Sequence, residues 1–159
     1  MTGRVLEIRR IDAPMEGALA DFFETLERAG DYSVFHPHPL TAQQAGVIAH
    51  RIGQDLYYAA TADGEILGYG MLRGWDEGYA VPSLGLAVAP HCRGRGLGRL
   101  LMDFLHEAAR IRGASQVRLK VYAHNARAVA LYRRLGYRFS DAGACWLLGV
   151  LALEPGTDQ

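Results

Sequence analysis

The chain has little of what several specialised protein classes require. It holds two cysteines, Cys92 and Cys145, among 159 residues, too few for a disulfide scaffold, so we expect reduced thiols in a cytoplasmic protein. No apolar run approaches the ~20 residues of a transmembrane helix. The 17 basic and 17 acidic residues balance, which argues against nucleic-acid or membrane partners. We expect residues 1–159 to form a single domain with a frayed tail at 154–159.

Hydrophobic periodicity and turn residues predict elements in the order βααβββαβαββ. Thr41 with Gln44 is typical of a capping box that opens the second helix, and Asp63-Gly64 is typical of a hairpin turn. Strands are predicted at residues 4–11, 56–61, 66–73, 84–88, 117–121 and 144–153, and the first two helices at 14–29 and 41–52. This order predicts an α/β (α+β) fold with a mixed, mostly antiparallel central sheet and helices on both faces.

The segment from Val88 to Arg99 is the most informative stretch of the chain. A short apolar strand enters a loop of two arginines and three glycines, and an amphipathic helix follows directly. A helix start carries free N–H groups and positive dipole charge, which bind phosphate. Glycine lets the backbone approach a ligand, and arginine matches phosphate oxygens. The residues concerned are Arg93, Gly94, Arg95, Gly96, Leu97, Gly98 and Arg99.

Three glycine-rich phosphate loops compete for this segment. A Walker loop needs Gly-Lys-Ser or Gly-Lys-Thr, whereas Gly98 is followed by Arg99. A dinucleotide fingerprint needs G-x-G-x-x-G and a later acidic residue, and neither is present. The pattern Arg/Gln-x-x-Gly-x-Gly/Ala fits Arg93, Gly96 and Gly98. On that pattern the loop resembles the coenzyme A pyrophosphate loop of the GCN5-related N-acetyltransferase (GNAT) family, although a plain surface turn is the alternative.

A second motif, Asn125 to Tyr137, strengthens the resemblance. The family pattern Asn-x-x-Ala-x-x-Leu-Tyr-x-x-x-Gly-Phe is matched at Asn125, Ala128, Leu131, Tyr132 and Gly136, with Tyr137 in place of Phe. Asparagine favours a helix N-cap, and glycine favours the left-handed residue that ends a helix. Ala128, Leu131 and Leu135 are predicted to form the buried stripe of this helix. The resemblance covers residues 83–140.

The resemblance implies direct acetyl transfer from acetyl-coenzyme A to an amine. The acceptor would be a small molecule, such as an amino sugar, aminoglycoside or amino acid, or a peptide. The backbone N–H of Val88 would polarise the thioester carbonyl, and Tyr132 would donate a proton to the leaving thiolate. An ordinary buried strand and a core tyrosine are the alternatives at these two positions. The residues implied to contact the coenzyme are Leu86, Ala87, Val88, Arg93, Gly94, Arg95, Gly96, Leu97, Gly98, Arg99, Asn125 and Tyr132.

The general base and the acceptor site are less well defined by the sequence. Many family members carry a glutamate on the motif strand, but residues 82–88 contain no acid. His36 and His38 lie in the loop that often shapes the acceptor site in this family, and imidazole takes up a proton near neutral pH. The candidate bases are His36, His38, Asp76, Glu77, His124 and ordered water. Asp76 and Glu77 are candidates for binding the amine. Structural histidines and a solvated acidic loop are the alternatives at these positions.

Three further expectations complete the sequence interpretation. No metal site is expected, because the two loop histidines lack a third ligand cluster. The missing strand glutamate leaves a second function open, a non-catalytic acyl-coenzyme A-binding module with the same fold. The apolar final strand, residues 145–151, would suit pairing across a homodimer.

Overall fold

The computed structural model describes residues 3–30 and 37–154. Its main elements follow the predicted order. They are β1 (Leu6–Arg10), α1 (Glu16–Arg28), α2 (Ala42–Ala49), β2 (Leu56–Ala62), β3 (Glu65–Arg73), β4 (Ser83–Val88), α3 (Leu97–Arg112), β5 (Gln116–Tyr122), α4 (Ala126–Arg134), β6 (Arg138–Asp141) and β7 (Trp146–Ala152). Of the tail predicted to fray, only Glu154 falls within the described residues. None of the described helices is long and apolar enough to cross a bilayer.

The seven strands form one sheet in the order β1-β2-β3-β4-β5-β7-β6. Neighbouring strands are antiparallel except β4 and β5, which run parallel. The predicted mixed, mostly antiparallel sheet is therefore confirmed. The final strand β7 hydrogen-bonds β5 on one side and β6 on the other. Because both edges of β7 are occupied, the prediction that this strand pairs across a dimer is wrong. The edge strands of the sheet are β1 and β6.

Helices cover both faces of the sheet, each over its own hydrophobic core. Helix α1 packs Phe23 against Tyr69 of β3 on one face, with ring centroids 5.4 Å apart. Helix α3 packs Leu105 on the other face, in the core that holds Val117 of β5. A Cβ on Gly70 would lie 2.9 Å from Leu105, so this glycine lets α3 approach the sheet closely.

Two local predictions are confirmed at the turns. Asp63 and Gly64 both have positive φ, 51° and 84°, as a type I′ hairpin turn requires. The Thr41 hydroxyl accepts the Gln44 N–H at 3.1 Å and caps α2. Helix α2 ends at Ala49 rather than near residue 52, and the Ile52 side chain is 99% exposed. After α2, the backbone N–H groups of Gln54 and Asp55 donate to the Asp76 carboxylate.

Candidate active site

Strands β4 and β5 separate along their length and open a cleft. Within the described residues their register consists of the Ser83–Arg118 pair, supported by a 3.0 Å hydrogen bond from the Arg118 N–H to the Pro82 carbonyl. Past this point a cavity of about 580 Å³ lies between the strands. Both strands, the 92–99 loop and α4 line it. We call this cavity the strand cleft.

The free edge of β4 presents backbone groups to the strand cleft. The Ala89 N–H donates to the Leu67 carbonyl at 2.8 Å, and the register with β3 continues unbroken to the pair Arg73–Ser83. Hydrogen-bonded pairs alternate along an antiparallel ladder, so the N–H groups of Leu86 and Val88 point away from β3. Both N–H groups are therefore available to a ligand, and the role of Val88 stays a prediction.

The loop that enters α3 is shaped by left-handed glycines. Gly94 has φ 76° and Gly96 has φ 90°, and a Cβ at either would meet nothing within 4 Å. Gly96 is the N-cap of α3 and supplies no side-chain cap, so the first N–H groups of the helix stay available for an anion. A Cβ on Gly98 would lie 3.6 Å from Val88, which places the start of α3 beside the end of β4.

The strand cleft is lined by positive charge. No aspartate or glutamate lines it within the described residues. The Arg93 Nε donates to the Val88 carbonyl at 3.1 Å, and Arg99 pairs with Asp103 at 3.3 Å. The cationic lining residues are Arg93, Arg99, Lys120, Arg127 and Arg134. Such a lining raises the local concentration of anions.

Sequence reasoning missed Lys120, Arg127 and Arg134. Arg127 and Arg134 are seven residues apart on α4, with Leu131 between them, so they share one helix face. That spacing was the signal that could have found them. Two predicted coenzyme residues, in contrast, contribute no lining side chain: Arg95 is exposed, and Leu97 packs towards Gly68 of β3.

The Tyr132 side chain lines the strand cleft. The hydroxyl group makes no hydrogen bond to the residues the structure describes, while the ring packs 5.8 Å from that of Tyr137. Burial raises the pKa of Tyr132 above its usual value, because desolvation disfavours the phenolate. The side chain therefore stays protonated and can donate a hydrogen bond or a proton.

Asn125 and Gly136 confirm the predicted ends of α4. The Asn125 side chain accepts the Ala128 N–H at 3.4 Å, and Gly136 has φ 102°. The predicted buried stripe is wrong in part, because Val129 is the buried residue of α4. Ala128 and Leu131 are half-buried and line the strand cleft, since α4 forms one rim of it.

His38 lies in the core rather than in the strand cleft. Its Nδ1–H donates to the Pro39 carbonyl at 2.8 Å, and its Nε2 accepts the Tyr69 hydroxyl at 2.9 Å. Burial lowers the pKa of His38. Because both ring nitrogens have protein partners, the structure does not bring His38 together with Val88 and Tyr132 as the predicted base. His36 lies outside the described residues.

Asp76 acts as an anchor for the segment after α2. Its carboxylate accepts the N–H groups of Gln54 at 2.7 Å and Asp55 at 3.2 Å, and it pairs with Arg51. The Gln54 N–H and then the Arg51 guanidinium lower the pKa of Asp76 to about 2. Neither Asp76 nor the exposed Glu77 lines the strand cleft, so the structure does not place the predicted amine-binding pair there.

A second cavity of about 440 Å³ opens on the α1–α2 face of the sheet. We call it the second cavity; its lining includes Pro37, Arg73, Ser83, Arg118, Trp146 and Leu148. It shares Leu84, Gly85, Leu119 and Lys120 with the strand cleft. The two cavities therefore meet where β4 and β5 separate.

Known proteins match both the sequence and the fold. The model of the acetyltransferase (GNAT) family matches residues 18–137, about three quarters of the chain. Streptothricin acetyltransferase of Streptomyces lavendulae is 36% identical over 85 residues, which cover 52% of this chain and 44% of that protein. The match therefore spans less than half of that relative.

Solved structures share the fold over nearly the whole chain. The GNAT domain of S. lividans PAT superposes with a TM-score of 0.80 at 18% identity, covering 95% of this chain and 96% of that one. The PaiA N-acetyltransferase from Thermoplasma acidophilum, solved in complex with coenzyme A, gives 0.74 at 14% identity, covering 93% and 99%. With the family match, the separated strands and the glycine loop, these likenesses lead to one conclusion: the chain belongs to the acetyltransferase (GNAT) family.

Proposed function

We propose that this protein is an acetyl-coenzyme A-dependent N-acetyltransferase that acts directly on the amine of a small molecule or peptide. The strand cleft is the observation that carries the proposal. It brings a free strand edge, a glycine loop at a helix start and the Tyr132 side chain, whose hydroxyl has no partner among the described residues, to one cavity. Membership of the family supports the activity, and we place it in the cytoplasm, where Cys92 and Cys145 would stay reduced.

The residues of the strand cleft fit coenzyme A. Positive φ at Gly94 and Gly96 leaves open a cradle that side chains would fill, and Arg93 and Arg99 line the cleft, which has no acidic lining residue in the part of the chain that the structure describes. We assign the pyrophosphate to Arg93, the glycine loop and the start of α3. The free edge of β4 would hold the pantetheine arm. When bound, acetyl-coenzyme A supplies the activated acetyl group as a thioester.

The chain's own groups would serve the chemistry in two ways. The Val88 N–H would hydrogen-bond the carbonyl oxygen as negative charge develops there. The Tyr132 hydroxyl would give its proton to the departing sulfur. Burial raises the pKa of Tyr132, so the hydroxyl holds its proton at neutral pH.

The acceptor amine must lose a proton before it attacks. No carboxylate lines either cavity within the described residues. We therefore propose that water carries this proton from the amine to bulk solvent. His36 stays a candidate base.

A non-catalytic acyl-coenzyme A-binding module is the second candidate. The lack of a carboxylate on β4 favours it. Incubation with labelled acetyl-coenzyme A and a panel of amines distinguishes the two. The panel should hold amino sugars, aminoglycosides, amino acids, peptides and streptothricin, on which a relative acts by its name. An enzyme yields an N-acetylated product, whereas coenzyme binding without transfer to any amine supports the module.

A further inference from the structure

The second cavity carries a row of positive charge across three strands. Arg73 of β3 pairs with Ser83 of β4, and Ser83 pairs with Arg118 of β5. Residues opposite one another on neighbouring strands project from the same face, so both arginines flank Ser83 on one side of the sheet. Lys120 lies two residues beyond Arg118 and therefore on the same face.

Neutral groups hold these three cations in place. Arg73 donates to the Pro37 carbonyl at 3.0 Å, and the Arg118 Nε donates to the Ser83 hydroxyl at 3.0 Å. The Arg118 guanidinium lies 5.1 Å from the Tyr79 ring centroid. The Lys120 Nζ lies 4.9 Å from the Trp146 ring centroid.

Within residues 3–30 and 37–154, no carboxylate pairs with the positive charges of this row. No carboxylate of those residues lines the second cavity either. A cavity lined by one sign of charge attracts the opposite sign. The row therefore suits a bound anion and disfavours a polycation.

The position of the row relates it to the acceptor. The second cavity meets the strand cleft at Leu84 and Gly85 of β4. A molecule seated in the second cavity can therefore present one end to the gap between β4 and β5. Its other end would face Arg73 and Arg118.

We propose that the acceptor is an amine that also carries a carboxylate or phosphate group. Arg73, Arg118 and Lys120 bind that anionic group. This inference rests on the proposed acetyl transfer. It assigns the acceptor to acidic amines such as amino acids, peptides with a nearby carboxylate, or phosphorylated amines. It disfavours aminoglycosides and other polycations.

The test compares acceptors that differ only in the anionic group. Steady-state kinetics would use serine against serinamide for carboxylate, and phosphoethanolamine against ethanolamine for phosphate. Kanamycin would serve as the polycationic arm. In at least one of the two pairs, the compound with the anionic group should have a kcat/KM at least about tenfold above that of the compound without it. A factor of this size is expected for a hydrogen bond to a charged group. The pair with the larger ratio identifies the anion.

Variants test whether the row is responsible. Arg118→Gln and Arg73→Gln should each raise KM for the anionic acceptor and narrow the ratio within its pair. Arg10→Gln, an exposed arginine on β1 at the far edge of the sheet, is the matched control and should keep the ratio. Equal transfer to acids and amides, faster transfer to kanamycin, or an unchanged ratio in Arg118→Gln would overturn this inference and leave the proposed function standing. Absence of transfer to every amine would overturn both.

Discussion

His38 and Tyr132 show how surroundings decide what a polar side chain can do. Burial lowers the pKa of His38 and raises that of Tyr132. Both shifts favour the neutral form of the side chain. His38 has partners on both ring nitrogens, so it stabilises the contact between the 37–40 segment and Tyr69. Tyr132 has no hydrogen-bond partner among the described residues and faces the strand cleft. Tyr132, unlike His38, therefore presents a polar group to the strand cleft that can take part in chemistry.

The Tyr132→Phe variant tests that assignment. We expect kcat to fall about 10²-fold or more, within the range for loss of a general acid, because the leaving sulfur loses its proton donor. Coenzyme affinity should change little, since the ring remains. Tyr58→Phe, a half-buried tyrosine on β2, is the control. An unchanged kcat in Tyr132→Phe would remove this residue as the acid.

Strand β4 and helix α4 each present two different sides. One edge of β4 is fully paired with β3, whereas its other edge separates from β5 after Ser83. Helix α4 buries Val129 on one face and turns Arg127, Leu131 and Arg134 to the strand cleft. The strand cleft is therefore lined by the unpaired edge of β4 and the exposed face of α4, while the paired edge and the buried face of these elements stabilise the fold.

The Asn125→Ala variant tests how the cap supports α4. Removing the side-chain acceptor for the Ala128 N–H should cost about 1 kcal/mol of stability. For a chain of this size that lowers Tm by roughly 2–4 °C. Thermal unfolding by circular dichroism measures the change. Asn125→Ser keeps a capping oxygen and should retain most of the stability; an equal loss in both variants would show that capping is not the cause.

At the scale of the whole molecule, the sheet separates two cores and two cavities. Helices α1 and α2 cover one face, and α3 and α4 cover the other. The strand cleft and the second cavity meet between β4 and β5. This arrangement would let the coenzyme and the acceptor approach the reaction centre from opposite sides of one sheet.

The two cores also make stability depend on pH. Burial lowers the pKa of His38 in one core and of His106 in the other. Below about pH 6.5 the unfolded chain takes up protons that the folded chain does not, so stability falls as pH decreases and is retained above that value. The urea concentration at the unfolding midpoint should fall as the pH is lowered from 7.5 to 5.5. His38→Gln should flatten the dependence; an equally steep fall in that variant would contradict this explanation.

Features that depend on neighbours in the sequence were predictable. The left-handed pair Asp63-Gly64, the caps at Thr41 and Asn125, and the end of α4 at Gly136 all follow from one residue and the few beside it. The two family motifs are similarly local. The first motif predicted the glycine loop at the start of α3, and the element order from hydrophobic periodicity predicted the mixed sheet.

Features that depend on distant residues were not predictable from the chain alone. The role of Asp76 depends on Arg51 and Gln54 coming next to it. The row formed by Arg73 and Arg118 depends on β4 lying between β3 and β5. His38 was predicted as a base because its type fits, but its place beside Tyr69 follows from packing of the whole domain.

Coenzyme binding at the glycine loop is the central claim, and a thermal-shift titration with acetyl-coenzyme A tests it most directly. At 100 times Kd the ligand should stabilise the protein by ~2.7 kcal/mol, a shift of roughly 5 °C or more. Gly96→Glu should abolish the shift, because a carboxylate would face the phosphates. Gly113→Glu carries a similar positive φ of 97° with open space at the other end of α3 and should keep it. No shift in the wild type, or equal shifts in both variants, would contradict the claim.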